Sequence, residues 1–92
     1  MKFDDLKFES HPTLKMEDAI QALHFFDNGY GISVVRFPGS YGFIEDLYEV
    51  AVLRRSGEND FVICYDTPIT DGIIGHCDET EIENLMEDIS KL

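Results

Sequence analysis

The stretch Phe25 to Arg36, "FFDNGYGISVVR", places Asn28-Gly29 between two apolar runs, and no other feature constrains the fold as strongly. Asn-Gly accepts the positive φ angles of a two-residue type I′ turn, whose twist matches that of the strands it joins. Centring such a turn on Asn28-Gly29 pairs Asp27 with Tyr30, Phe26 with Gly31, Phe25 with Ile32, His24 with Ser33 and Leu23 with Val34. Leu23, Phe25, Ile32 and Val34 then share one face and are expected in the core, while Gly31 leaves room for the ring of Phe26. A helix is the alternative for residues 16–26. Met16, Ala19, Ile20, Leu23 and Phe26 fall at helical spacing, with Gly29 as a left-handed cap. The hairpin is preferred because one register sorts both strands at once. A phosphate cradle is the weakest reading: "DNGYG" leads into a strand rather than a helix, and Asp27 would repel a phosphate.

Downstream, "PGSYGFIED" is a loop that exposes Tyr41, and "LYEVAVLR" alternates Tyr48, Val50 and Val52 against Glu49 and Ala51. "RSGEND" is a turn, and "FVICYD" is a further strand with Phe61, Ile63 and Tyr65 in phase. Asp78, with Glu81 three residues on, has the form of a capping box. Ile82, Leu85, Met86 and Ile89 then trace one apolar face of a closing helix. Residues 1–15 form an arm or edge strand, extended at Leu6 to Glu9 and kept out of helix at His11 by Pro12. The expectation is a single α+β domain over residues 1–92: an antiparallel β-meander of three to four strands with a C-terminal amphipathic helix packed on one face.

Charge narrows the partners. A formal charge of −12 over 92 residues argues against direct binding to nucleic-acid backbones or to anionic membranes, and favours basic protein surfaces. No apolar run reaches the roughly 20 residues of a membrane span, and the charged start "MKFDDLKFES" is no signal sequence, so a cytoplasmic location is expected. Cys64 and Cys77, the only cysteines, are expected to be reduced and semi-buried.

Candidate sites are few. Cys64, His76 and Cys77 are zinc ligands by type, but adjacent His-Cys lacks the paired spacing of structural zinc sites, and no metal or cofactor is expected. A small ligand-binding module or enzyme would draw on Asp66, His76 and Cys64, with Asp66 or Asp71 orienting the histidine. "CYDTPITDG" is a rigid connection from the last strand to the helix, and in a sharper reading it presents Asp66, Thr67 and Asp71 to a partner. Tyr30 and Tyr41 are further interaction candidates. Asp78, Glu79, Glu81, Glu83, Glu87 and Asp88 crowd the helix, and a row of carboxylates such as Glu79, Glu83 and Glu87 can imitate DNA phosphates. A solvated charged face is the plainer explanation.

Taken in order, "FFDNGYGISVVR", "SYG", "LYEVAVL", "CYDTPITD" and the acidic helix resemble a group of small proteins encoded by tailed bacteriophages and prophages. The similarity runs from about Ile20 to the C-terminus. The group's pattern reads "GxQA" where this chain has "DAIQA", and "PNGYG" where it has Asp27. A glycine in that lead-in suits a strand. The resemblance implies a phage or prophage origin and carries over no activity and no catalytic residue. The expected function is non-enzymatic: binding, and inhibiting, a host, defence or phage protein with a basic surface in the host cytoplasm. A DNA-mimic inhibitor is a narrower alternative, and a homodimer through an edge strand stays open.

Overall fold

A computed structural model of the chain describes residues 2–10, 19–40, 43–58, 60–69 and 72–92. Six strands and one α-helix follow in order: β1 (Glu9–Ser10), β2 (Ile20–Phe25), β3 (Tyr30–Arg36), β4 (Tyr48–Arg55), β5 (Phe61–Ile63), β6 (Ile74–Cys77) and α1 (Glu79–Ser90). Short 3-10 turns occupy Phe3–Asp5 and Phe43–Glu45. The sheet is antiparallel, in the order β1-β2-β3-β4-β5, with β6 also paired to β4. The α+β class, the meander and the closing helix match the expectation. The strand count does not: six strands stand where three to four were expected.

The hairpin exists and the helical alternative fails over Ile20–Phe25, while residues 16–18 lie outside the described residues. Its register differs by one residue. Phe25 faces Gly31, His24 faces Ile32, Leu23 faces Ser33 and Ala22 faces Val34. The turn holds three residues, not two: the Phe26 N–H donates to Tyr30 O at 2.7 Å and the Gly29 N–H to Phe26 O at 3.2 Å. Only Gly29 in this loop has positive φ, at 87°. That is the three-residue hairpin with a left-handed residue at its close, whereas a type I′ turn needs two successive positive angles.

A one-residue slip turns every side chain of a strand to the other face. Ile32 and Val34 enter the core as expected, but Leu23 and Phe25 do not; Ala22 takes their place. The core between sheet and helix is filled by Ile32, Val34, Val50 and Val52 from the strands and by Ile82, Met86 and Ile89 from α1, so the small residue of β2 faces it. Gly31 does make room for a phenylalanine, though for Phe25 rather than Phe26. A Cβ on Gly31 would lie 2.6 Å from Phe25 Cδ1 and 2.7 Å from His24 O.

Helix α1 begins where its sequence says. Asp78 Oδ1 accepts the Glu81 N–H at 2.8 Å, satisfying one of the orphan donors of the first turn. Ile82, Met86 and Ile89 are buried and Leu85 is partly so. The N-terminal arm folds over the same layer: Leu6 joins the core, and Phe3, Phe8 and Tyr48 pack their rings together at 5.5–5.7 Å between centroids.

The last column of the sheet is split. The strand expected over "FVICYD" ends at Ile63, although the Cys64 N–H still donates to Val52 O at 2.8 Å. The chain then leaves the sheet and rejoins the same side of β4 at Ile74, opposite Val50. "CYDTPITDG" is therefore an excursion within one edge column rather than the connection from sheet to helix. Between the pairs Val50–Ile74 and Tyr48–Cys77, the single residue Glu49 of β4 faces two of β6, Gly75 and His76; this bulge holds His76 at φ 56°. It turns Cys77 into the core.

Candidate functional site

Register alone decides what the sheet shows on the side away from α1. Phe25, Gly31, Leu53 and Ile63 form one row across four strands. Leu23, Ser33 and Ala51 form the next, and Gln21, Val35 and Glu49 the one after. Among the described residues the row through Ala51 has no partner in the edge column, because residues 65–69 and 72–73 have left the sheet there. Its floor is made by two small side chains, Ser33 and Ala51, both buried. The result is an apolar pocket of about 230 Å³, walled by Val35, Phe37, Ile63 and Ile73, with Glu49 at its side.

Beside the pocket, Phe25 lies over Gly31 and reaches Phe61 at 5.5 Å between ring centroids. These rings flank Leu53, which is buried although no helix among the described residues covers this face. The Arg55 guanidinium sits 4.3 Å from the centre of the Phe25 ring, a cation–π contact, and Nη1 donates to Glu58 O at 3.4 Å. Five of the seven large apolar side chains exposed among the described residues fall in β5 and the excursion: Phe61, Val62, Ile63, Tyr65 and Ile73. Such concentration on one edge is the kind of surface that marks a protein contact.

The residues singled out in the sequence are dispersed. Tyr30 is half-buried against the core, and its N–H donates to Asn28 Oδ1 at 3.1 Å. Tyr41 and Asp71 lie outside the described residues. Asp66 is exposed on the excursion beside the half-buried Thr67. Cys64 and Cys77 are free thiols, both buried on the helix side. Burial pushes the Cys77 thiol up from 9.0 to about 11, with Glu81 and Asp78 adding to the effect. His76 is exposed. Neither this apolar pocket nor a more polar one bounded by Lys7, Glu9, Ser10, Gln21 and Leu23 is lined by Cys64, Asp66 or His76. Among the described residues no three His, Cys, Asp or Glu side chains gather as a metal site.

On the helix, Glu79 is exposed at the first turn, but the other two expected mimic carboxylates are committed within the molecule. Glu83 Oε2 accepts the Phe3 N–H at 2.6 Å. Glu87 pairs with Lys91 at 3.0 Å, and that hydrogen bond and charge hold its carboxyl below the usual range.

The sequence reading missed the open face because it assigned Leu23 and Phe25 to the core. The signal that could have found it is the phase of the small residues: Gly31, Ser33 and Ala51 alternate with Ile32, Val34, Val50 and Val52, which fill the core on the opposite face. No family model, no curated protein and no solved structure matches this chain. Among the described residues no helix is long and apolar enough to cross a membrane.

Proposed function

We propose that this chain is a non-enzymatic, acidic protein that binds a partner protein through the helix-free face of its sheet. The observation carrying this reading is the apolar edge and pocket: Ile63 and Ile73 are 37% and 50% exposed at a recess floored by Ser33 and Ala51, and Phe61, 42% exposed, continues the same edge. A recess of this kind takes a partner's apolar side chain, and apolar area removed from water supplies the affinity. The carboxylates around it select a basic partner and speed its encounter. The resemblance to phage-encoded proteins supports a host protein as that partner, bound in the host cytoplasm, with inhibition as the consequence.

The test is affinity capture from host lysate with three baits: the native chain, an Ile63→Asp/Ile73→Asp variant and a Glu79→Gln/Glu87→Gln variant, each checked for folding by circular dichroism. A specific partner should be held by the native chain and the helix variant and lost by the face variant. Loss confined to the helix variant would transfer the reading to a DNA mimic. Capture of no specific partner by the native chain would count against binding as its function.

A further inference from the structure

We propose, resting on the reading above, that β5 receives the partner as an added strand, and that the segment it takes is extended, apolar at alternate positions and flanked by Lys or Arg. The hydrogen-bond phase of the edge leads to the first half of this. In an antiparallel pair, successive residues point their backbone groups alternately toward and away from the neighbouring strand. The Cys64 N–H donates to Val52 O and the Ser56 N–H to Asp60 O, so Asp60, Val62 and Cys64 turn their backbone groups to β4. Phe61 and Ile63 therefore turn theirs outward, at the end of the strand order. Both side chains lie on the helix-free face, and all three residues of β5 are exposed. An added strand would bond to Phe61 and Ile63 and extend the apolar row Phe25, Gly31, Leu53, Ile63 by one position. This is strand addition, in which main-chain bonds give affinity and alternate side chains give choice of partner.

Charge identifies the occupant. Glu58, Asp60 and Asp66 flank β5, all exposed, and Glu49 borders the pocket. Beside β5 on this face lies Arg55, already seated on Phe25, while Lys7 borders the face at its far side with Gln21 and Leu23; Arg54 shares the other face with Val52, opposite Val62. A second copy of the chain would meet its own charges. Pairing β5 with itself about Val62 sets Phe61 opposite Ile63, but it also brings the exposed carboxylates at the two ends of β5 (Glu58 and Asp60 at one, Asp66 at the other) toward those of the second copy, in two chains of −12 each. Like charges directly opposite destabilise a strand pair. A Lys- or Arg-flanked segment meets the same carboxylates with opposite sign.

The experiment leaves the protein unaltered and changes the probe. Three synthetic peptides of about nine residues alternate Val and Thr. One has Lys pairs at both ends, one has Glu pairs, and one has Lys pairs with N-methyl groups on alternate backbone nitrogens. Binding is read by calorimetry and by amide hydrogen exchange. The Lys-flanked peptide should bind at least about tenfold more tightly than either other, weaken as salt rises, and slow exchange at Phe61 and Ile63. Strand addition is overturned by equal affinity of the N-methylated peptide, by unprotected Phe61 and Ile63 amides, by no binding of the Lys-flanked peptide, or by self-association that protects those amides without peptide. If it is overturned while a captured host protein still depends on Ile63 and Ile73, the face remains the binding surface and only the mode is wrong. If that dependence is also absent, the binding function falls with it.

Discussion

Asn28, in the hairpin loop, caps the far end of helix α1: its Nδ2 donates to Ile89 O at 2.9 Å and to Leu92 O at 3.3 Å. The same side chain's Oδ1 accepts the Tyr30 N–H. One residue thus closes the turn and adds a side-chain donor to Ile89 O, which also accepts the Leu92 N–H at 3.2 Å, and to Leu92 O just past the helix. The Asn-Gly pair divides its labour, with Gly29 supplying the positive φ and Asn28 the cross-link between turn and helix.

Asn28→Ala should therefore cost more than a turn substitution alone. Each net hydrogen bond is worth about 1 kcal/mol, so a loss of about 1–2 kcal/mol in urea unfolding is expected. Asn28→Asp separates the two roles. It keeps the acceptor for Tyr30 but places a negative charge against the helix carbonyls, and it should be at least as destabilising. Stability unchanged in both variants would show that the cap carries no weight.

Gly31 is a matter of space. An added methyl would press on Phe25 Cδ1 and on the His24 carbonyl oxygen, the latter fixed in β2. Gly31→Ala should destabilise by about 1–3 kcal/mol, as overpacking does. Combining it with Phe25→Ala should recover only part of that loss, because the backbone clash remains. A thermal melt of both variants checks this; full recovery would mean that the ring alone sets the requirement.

These two residues show how far the sequence was legible. Periodicity over Ile82, Leu85, Met86 and Ile89 and the Asp78 cap located the helix, because both are local signals. "NG" located the hairpin but not its register, since a two-residue and a three-residue loop use the same pair and differ by a slip that inverts one strand. In the three-residue loop Asn28 bonds to Ile89, more than sixty positions away in the chain and invisible to local reading. β1 falls within the expected arm or edge strand, whereas β6 was missed for a related reason. "IGHC" has no alternating pattern, and it becomes a strand only because β4 offers it an edge. The open face followed from the register, so the candidate site was hidden behind the same ambiguity. Asp66 and the neighbouring acids were visible as charges, but nothing in the string told that the loop holding them rejoins the sheet it left.

Glu83 ties the N-terminal arm to the helix through the Phe3 N–H. Removing the acceptor with Glu83→Ala should speed amide exchange at Phe3 and loosen the ring cluster of Phe3, Phe8 and Tyr48. The expected stability loss is about 1–2 kcal/mol, in the range for a hydrogen bond to a charged group. Glu83→Gln keeps an oxygen acceptor and should restore most of the exchange protection. Equal exchange in the native chain and Glu83→Ala would show that the arm is held by its rings alone.

Cys77 makes the fold sensitive to alkali. Its thiol ionises near 11 in the folded chain against 9.0 ordinarily, because burial disfavours the thiolate and Glu81 and Asp78 repel it. In that interval the unfolded chain has already released a proton that the folded chain still holds, so stability falls as pH rises. The contribution is fully present below about pH 9 and is lost progressively toward about pH 11. Tyrosines and lysines titrate in the same range, so the comparison is with Cys77→Ala measured across it. The variant should be less stable at neutral pH, since it leaves a cavity in the core, and its melting temperature should fall less steeply between those two pH values. The buried thiol should also resist alkylation at neutral pH until denaturant is added. Parallel melting curves for the two proteins through the alkaline range would rule out Cys77 as the source of the sensitivity.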